Sequence, residues 1–118
     1  MKQPKVYVKK YNKVFNVIEI HFDIDVVCFD DGQPDFAQFD FEDVKFIYNT
    51  GYKDKNGNYI YTGDIVEHNN LRYIANKKTE EEFYYLTRGR HRCALSSMED
   101  DYLVIGNIYE NKELLEVR

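Results

Sequence analysis

The segment from Tyr48 to Val66 most constrains this chain of 118 residues, because its glycines fix where the backbone must turn. Asn56-Gly57 lies between apolar runs and is a strong hairpin signal, since both residues tolerate the positive φ of a type I′ turn. Thr62-Gly63-Asp64 predicts a second tight turn that opens a strand over Ile65 to His68. The residues assigned to turns or to close backbone approach are Gly51, Asn56, Gly57, Gly63, Asp64 and Gly106.

Alternating apolar and polar residues predict further strands along the chain. From Ile18 to Cys28 every even position is apolar, and this period of two predicts one long half-buried strand. Asp30-Asp31-Gly32 then predicts a turn. Shorter strands are predicted at 39–41, 44–48, 71–74, 83–86 and 102–105, with a short helix over Lys112 to Val117 after Asn111.

Short strands with a turn every 8–12 residues indicate a mostly β fold, either a small barrel or a sandwich. The length predicts a single compact domain over residues 1–118. The aromatic residues divide it, because seven of the eight Phe lie at or before Phe46 and nine of the eleven Tyr at or after Tyr48. We therefore expect two packed sub-structures, residues 1–47 and residues 48–118.

Composition limits the cellular setting that we expect. The two cysteines, Cys28 and Cys93, are too few for a disulfide-stapled secreted domain, and the N-terminal ten residues lack an apolar signal region. No apolar run approaches the ~20 residues of a membrane span. We expect a cytoplasmic protein with reduced cysteines and no membrane partner. The net charge of −5 gives no global signal for nucleic-acid binding.

Two segments carry a family resemblance. The first runs from Tyr48 to Gly57 and on through Ile60 to Val66, and the second from Val104 to Asn111, followed by Glu113-Leu114-Leu115. Together they resemble the signature of the YopX-like family of bacteriophage and prophage proteins. The resemblance implies a small SH3-like β-barrel in the C-terminal part, packed with an N-terminal β-sheet portion. It also implies a phage-encoded protein in the cytoplasm of a bacterial host cell, and it brings no catalytic residue to this sequence.

Residues for catalysis or metal binding are few and poorly spaced. His21 lies beside Glu19 and Asp23 on one predicted strand face, which suits either a solvated surface or a weaker hypothesis, a metal-dependent hydrolase. The cysteines and histidines lack zinc-site spacing, and no phosphate-binding glycine motif occurs. His68 precedes a turn, so we expect it to be exposed. We expect no enzyme activity, cofactor or metal.

The densest positive run is Arg88-Gly89-Arg90-His91-Arg92, which follows the aromatic run 83–85. Basic groups beside stackable rings suit single-stranded nucleic acid. The favoured alternative is a solvated loop whose arginines pair with Glu80 to Glu82 or with Glu99 to Asp101. The candidate residues for binding nucleic acid or a partner are Arg88, Arg90, Arg92, Lys77, Lys78 and Tyr84.

Two functional hypotheses follow. The first is a non-catalytic phage accessory protein that binds a host or phage protein, and whose apolar residues serve either the core or a homo-oligomeric contact. The alternative is a nucleic-acid-binding module that uses the basic run 88–92. The sequence identifies neither the partner nor the stage of the phage cycle, and it leaves the oligomeric state open.

Overall fold

The computed structural model describes residues 4–78 and 83–115, and it is mostly β, as the short alternating runs predict. The chain divides into two compact units, Met1–Tyr48 and Asn49–Arg118, whereas the aromatic distribution divides it between residues 47 and 48. Within the described ranges, no helix has the length and apolar character needed to cross a membrane. The predicted polar connection over 79–82 lies outside the described residues.

The N-terminal unit is a five-stranded antiparallel sheet with the strand order β4-β3-β2-β1-β5. Its strands are β1 (Lys5–Val8), β2 (Lys13–His21), β3 (Val26–Phe29), β4 (Ala37–Asp40) and β5 (Val44–Ile47). A 3₁₀ helix over Phe41–Asp43 links the two edge strands. One core cluster is made of Val6, Val8, Val17, Val27, Phe29 and Val44. Apolar residues at alternate positions of β1 thus face this core, as a half-buried strand requires.

The predicted strand over Ile18 to Cys28 is wrong, because the chain reverses in its middle. Residues 22–25 form a turn between β2 and β3, and Asp25 has a φ of +53°. Phe22 and Ile24 keep the even-numbered apolar pattern, yet their side chains are 75% and 63% exposed. The alternation therefore continues through a hairpin turn, where it no longer reports burial, and period two alone cannot locate such a turn.

The C-terminal unit combines a two-stranded hairpin with a second five-stranded antiparallel sheet. The hairpin pairs β6 (Asn49–Lys53) with β7 (Tyr59–Tyr61). The sheet has the order β11-β10-β9-β8-β12, built from β8 (Asp64–His68), β9 (Leu71–Lys77), β10 (Tyr84–Arg88), β11 (His91–Ala94) and β12 (Leu103–Asn107). Its core cluster is Ile60, Val66, Ala75, Leu86, Leu95 and Tyr102.

The expected SH3-like barrel is not confirmed, because this sheet is open among the residues that the structure describes. β11 and β12 are its opposite edges, and the β6–β7 hairpin forms a separate sheet. The hairpin approaches β12 through its turn: the Lys55 N–H donates to the Tyr102 carbonyl oxygen at 2.8 Å. The Val104 N–H also donates to Asp54, but these two hydrogen bonds do not form the continuous ladder that barrel closure needs.

The hairpin at Asn56-Gly57 is confirmed, but its turn is not the expected type I′. Gly57 has a φ of +83°, whereas Asn56 is not among the residues with positive φ. The Gly57 N–H donates to the Asp54 carbonyl oxygen at 3.0 Å, and the Asp54 N–H donates to the Asn58 carbonyl oxygen at 2.8 Å. These bonds describe a three-residue hairpin loop that ends in a left-handed glycine. Only one of the two residues therefore adopts the left-handed conformation.

The predicted helix over Lys112 to Val117 is not confirmed. A 3₁₀ helix covers Lys112–Leu115, and residues 116–118 lie outside the described residues. The side-chain oxygen of Asn111 accepts a hydrogen bond from the Asn107 N–H at 3.1 Å, so it faces back along the chain. It therefore stabilises the turn before the 3₁₀ helix, where we expected it to cap a longer helix.

Candidate functional site

The five-stranded sheet of the C-terminal unit has two chemically different faces. Leu86 and its cross-strand partner Ala75 are fully buried in the core cluster. Tyr85 and Thr87 alternate with Leu86 along β10, so their side chains lie on the opposite side of the sheet. We call this opposite side the outer face. Within β10, Tyr85 and Thr87 are therefore the residues whose side chains lie on the outer face.

Three side chains form an aromatic–arginine cluster: Phe83, Tyr85 and Arg92. The rings of Phe83 and Tyr85 are stacked, with centroids 6.0 Å apart and an interplanar angle of 27°. The guanidinium carbon of Arg92 lies 5.3 Å from the centroid of the Tyr85 ring, within the range of a cation–π interaction. Phe83 remains 46% exposed. The cluster is thus an ordered, accessible arrangement of two rings and one cation.

The structure distributes the predicted binding residues over different parts of the sheet. Arg88 ends β10, Arg90 lies in the following turn and Arg92 lies in β11, all of them exposed. The predicted loop is therefore partly a strand. Tyr84 packs against the core cluster. Sequence reasoning selected Tyr84 where the fold exposes Phe83 and orients Tyr85 outward, because alternation within three consecutive aromatics does not by itself reveal which face is inner.

Lys77 and Lys78 lie away from the arginines. Lys77 pairs with Tyr84, whereas Arg88 pairs with His91 at the other end of β10. Four residues along a strand span roughly 13 Å. Both lysines have interactions of their own, and the Lys78 N–H donates to the Phe83 carbonyl oxygen at 2.8 Å. The six predicted residues thus do not form a single patch.

Of the two acidic runs predicted to neutralise the arginines, only Glu99 to Asp101 lies within the described residues. Glu99 and Asp101 contact His68, at 3.7 Å and 2.5 Å between the paired atoms. Residues 80–82 lie outside the described residues. Between residues 4–78 and 83–115, no ion pair joins Arg88, Arg90 or Arg92 to a carboxylate. Glu99 and Asp101 therefore do not neutralise these arginines.

His68 is a residue that sequence reasoning placed wrongly. It was expected to be exposed, yet it is 8% exposed and its ring lies 4.9 Å from that of Tyr102. Its Nδ1 is 2.5 Å from Oδ1 of Asp101, whose other oxygen accepts the Asn69 N–H at 3.0 Å. The hydrogen bond from the Asn69 N–H holds the pKa of Asp101 below its usual range, and His68 makes a smaller contribution in the same direction. No local signal reveals this contact, since the partners are 33 residues apart.

The residues considered for metal binding are scattered. His21 lies 3.1 Å from Glu19, whereas Asp23 and Asp25 belong to the turn after β2. Three exposed carboxylates, those of Asp40, Glu42 and Asp43, lie close together, but sequence reasoning did not select them. Among the described residues, the carboxylate that pairs with His21 is therefore that of Glu19 alone.

The two cysteines are free thiols, as expected from the composition. Cys28 is buried in the N-terminal unit. Cys93 packs against the core cluster of the other unit, where burial, with a smaller contribution from Glu99, raises the pKa of its thiol. A raised pKa keeps the thiol protonated and poorly nucleophilic near neutral pH.

The two segments that carry the family resemblance contact each other within the C-terminal unit. The Ile108 N–H donates to the Gly63 carbonyl oxygen at 2.9 Å. A Cβ built on Gly63 would lie 2.7 Å from Cε2 of Tyr109, and one on Gly106 would lie 2.7 Å from Oδ1 of Asn111. Each glycine therefore leaves the space that a side chain of the second segment occupies, and both are required by packing.

The profile of the YopX protein family matches residues 2–116, nearly the whole chain. The chain belongs to the YopX family. Among solved structures it is similar to the crystal structure of protein EF1440 from Enterococcus faecalis, with 23% sequence identity and a TM-score of 0.66. The match covers 97% of each chain. At this identity the likeness establishes a shared fold and nothing about activity. A search of curated proteins found no match.

Proposed function

We propose that this YopX-family protein is a non-catalytic interaction module that binds a protein partner through the aromatic–arginine cluster. The observation that carries the proposal is the stacked pair Phe83 and Tyr85 with Arg92 over the Tyr85 ring. Tyr and Arg are enriched among the residues that dominate protein interfaces. Aromatic rings such as those of Phe83 and Tyr85 bury a large area with few rotatable bonds, which keeps the entropic cost of binding low.

The ordering of the cluster before binding also supports this proposal. Arg92 already lies against Tyr85, and Phe83 already stacks on that ring, so a partner does not have to immobilise three separate side chains. Each rotamer-rich side chain that is fixed on association costs about 0.5–1.5 kcal/mol. Pre-organisation of this kind favours a specific partner over non-specific adhesion.

We further propose that the partner is a host or phage protein met in the cytoplasm of a bacterial cell, or a second copy of this chain. The first expectation derives from the family resemblance to phage and prophage proteins. The second derives from the exposed Phe83 and Leu71, which are 46% and 40% exposed. Symmetric self-association is the commonest form of assembly for soluble chains, and it would cover such residues.

Affinity capture from bacterial cells tests the proposal when wild type is compared with the double variant Tyr85→Ala, Arg92→Ala. A matched control exists on the hairpin, where Nζ of Lys53 lies 5.0 Å from the centroid of the Tyr59 ring. The control variant Lys53→Ala, Tyr59→Ala removes the same chemistry elsewhere. We expect the first variant to lose a captured protein that wild type and control retain. Equal capture by all three chains, or capture of none, would contradict the proposal.

A second function, single-stranded nucleic-acid binding, is favoured by one observation: Arg92 lies over the Tyr85 ring, and no carboxylate in the described ranges pairs with it, Arg88 or Arg90. Bases stack on aromatic faces, and arginines neutralise phosphates. A mobility shift with a short single-stranded oligonucleotide tests it. Binding that weakens with salt and is lost on changing Arg88, Arg90 and Arg92 to Glu would support this function. No shift at low salt would exclude it.

A further inference from the structure

A pocket of about 700 Å³ opens in the C-terminal unit, separate from the stacked rings. Strands β9 and β10 form one wall, with Ile74 paired to Thr87. The 3₁₀ helix contributes Leu114 and Leu115 to the other. Leu71 completes the apolar lining. None of these side chains is fully buried, so the pocket offers apolar surface that a ligand could bury.

Two arginines give this apolar pocket a positive rim. Arg72 and Arg88 both line it, and both are exposed. Nη1 of Arg72 donates to the carbonyl oxygen of Leu114 at 2.7 Å, which orients the guanidinium and leaves its other N–H groups unused by that bond. In the part of the chain that the structure describes, neither arginine forms an ion pair with a carboxylate.

We propose that this pocket binds a carboxylate carried on an apolar body, as presented by the C-terminus of a partner polypeptide that ends in apolar residues. Guanidinium groups bind carboxylates through paired, charge-assisted hydrogen bonds. The apolar lining supplies the remaining binding energy through burial of the terminal side chains. The inference rests on the proposed protein-binding function and names the chemical group by which the partner is recognised.

The combination of groups selects this occupant over simpler ones. A purely apolar ligand would leave both arginines without an anionic acceptor, and a small hydrophilic anion would leave the leucines exposed to water. A polypeptide C-terminus places its carboxylate on the same residue as the terminal apolar side chain, so a single residue can satisfy both parts. An internal acidic residue beside a leucine carries the same groups farther apart, and a separate probe distinguishes it.

The test uses the full chain and a matched pair of probes, acetyl-leucyl-leucine and acetyl-leucyl-leucinamide, which differ in the terminal charge. Calorimetric titration should show the acid binding at least about tenfold more tightly than the amide, as a charge-assisted hydrogen bond implies. The third probe, acetyl-glutamyl-leucinamide, carries an internal carboxylate and should bind more weakly than the acid. Equal affinity for acid and amide, tighter binding of the third probe, or no detectable binding of the acid would overturn the proposal.

Two variants assign the binding to this pocket. Arg88→Gln should remove the preference for the acid over the amide, whereas Arg90→Gln, which changes an exposed arginine outside the lining, should retain it. Retention of the preference in Arg88→Gln would overturn the assignment. The outcome is independent of the capture experiment: if the acid binds but no protein is captured, the pocket stands and the proposed function fails, and the converse result fails the pocket alone.

Discussion

The backbone N–H of Val104 donates to Oδ2 of Asp54 at 3.1 Å, joining the hairpin turn to β12 across fifty residues of sequence. The other carboxylate oxygen of Asp54 accepts the N–H groups of Asn56 and Asn58, at 3.0 and 2.9 Å. Asp54 is 6% exposed. The Asp54 carboxylate thus stabilises the hairpin turn and also joins that turn to β12.

Replacing Asp54 should destabilise the C-terminal unit strongly. Asp54→Ala removes the acceptor for three N–H groups, and at about 1 kcal/mol each the free energy of unfolding should fall by about 3 kcal/mol. Asp54→Asn keeps one side-chain oxygen and should cost about half as much. Urea unfolding followed by tyrosine fluorescence measures the difference, since eight of the eleven tyrosines lie in the C-terminal unit. Equal losses in the two variants would contradict the assigned hydrogen bonds.

Alanine substitutions at Gly57 and Gly63 distinguish the cost of backbone strain from the cost of a packing clash. Both have a positive φ, of +83° and +86°, but a Cβ at Gly57 meets nothing within 4 Å, whereas one at Gly63 meets Tyr109 at 2.7 Å. Gly57→Ala should cost about 1 kcal/mol for the left-handed conformation. Gly63→Ala should cost at least about 2 kcal/mol, because the Tyr109 ring must also move. If thermal denaturation gives the same loss of stability for both variants, the contact with the Tyr109 ring does not add to the cost at Gly63.

Adjacent residues of β10 should lose different amounts of stability on truncation. Leu86 is fully buried, so Leu86→Ala should lower the free energy of unfolding by about 2–5 kcal/mol. Tyr85 lies on the outer face, so Tyr85→Ala should cost about 1 kcal/mol or less, mainly through its contacts with Phe83 and Arg92. Urea denaturation of the two variants provides the comparison. A larger loss for Tyr85→Ala would mean that the two faces have been assigned the wrong way round.

Asp101 predicts a specific acid dependence of stability. The Asn69 N–H, and secondarily His68, lower its pKa in the folded protein below the ordinary value of 3.8. A carboxyl group with a depressed folded pKa stabilises the protein above its unfolded pKa, and loses that contribution as pH falls through the folded pKa. The difference in urea midpoint between wild type and Asp101→Asn should therefore be constant above the unfolded pKa of the carboxyl group and should decrease as the pH falls below it. A difference that persists unchanged at the lower pH would refute the linkage.

Local backbone chemistry could be predicted from the sequence, since it depends on neighbouring residues. Asn56-Gly57 correctly indicates a hairpin, and the short alternating runs correctly indicate a mostly β fold. The type of turn could not be predicted, because it depends on Asp54 and its carboxylate two residues earlier. Likewise, Phe22 and Ile24 continue a strand pattern through a turn, and nothing in their own chemistry distinguishes the two states.

Relationships between distant residues were beyond the reach of the sequence. The burial of His68 depends on Asp101 and Tyr102, which β-strand pairing brings beside it. The choice between Tyr84 and Tyr85 as the outward residue depends on which face of β10 meets Ala75 across the strand pair. The pocket depends on where the chain after β12 lies against β9. Each of these is decided by tertiary packing, which a single sequence does not record.

Site-specific photo-crosslinking tests the central claim, that the aromatic–arginine cluster is a protein-binding surface, most directly. The photoreactive residue p-benzoylphenylalanine is placed at position 85, or at the exposed position 59 as a control, in bacterial cells that produce the protein. The account predicts a discrete protein adduct from position 85 that is absent from position 59 and resistant to nuclease. Adducts of equal yield at both positions, none at position 85, or nuclease-sensitive adducts alone would contradict it.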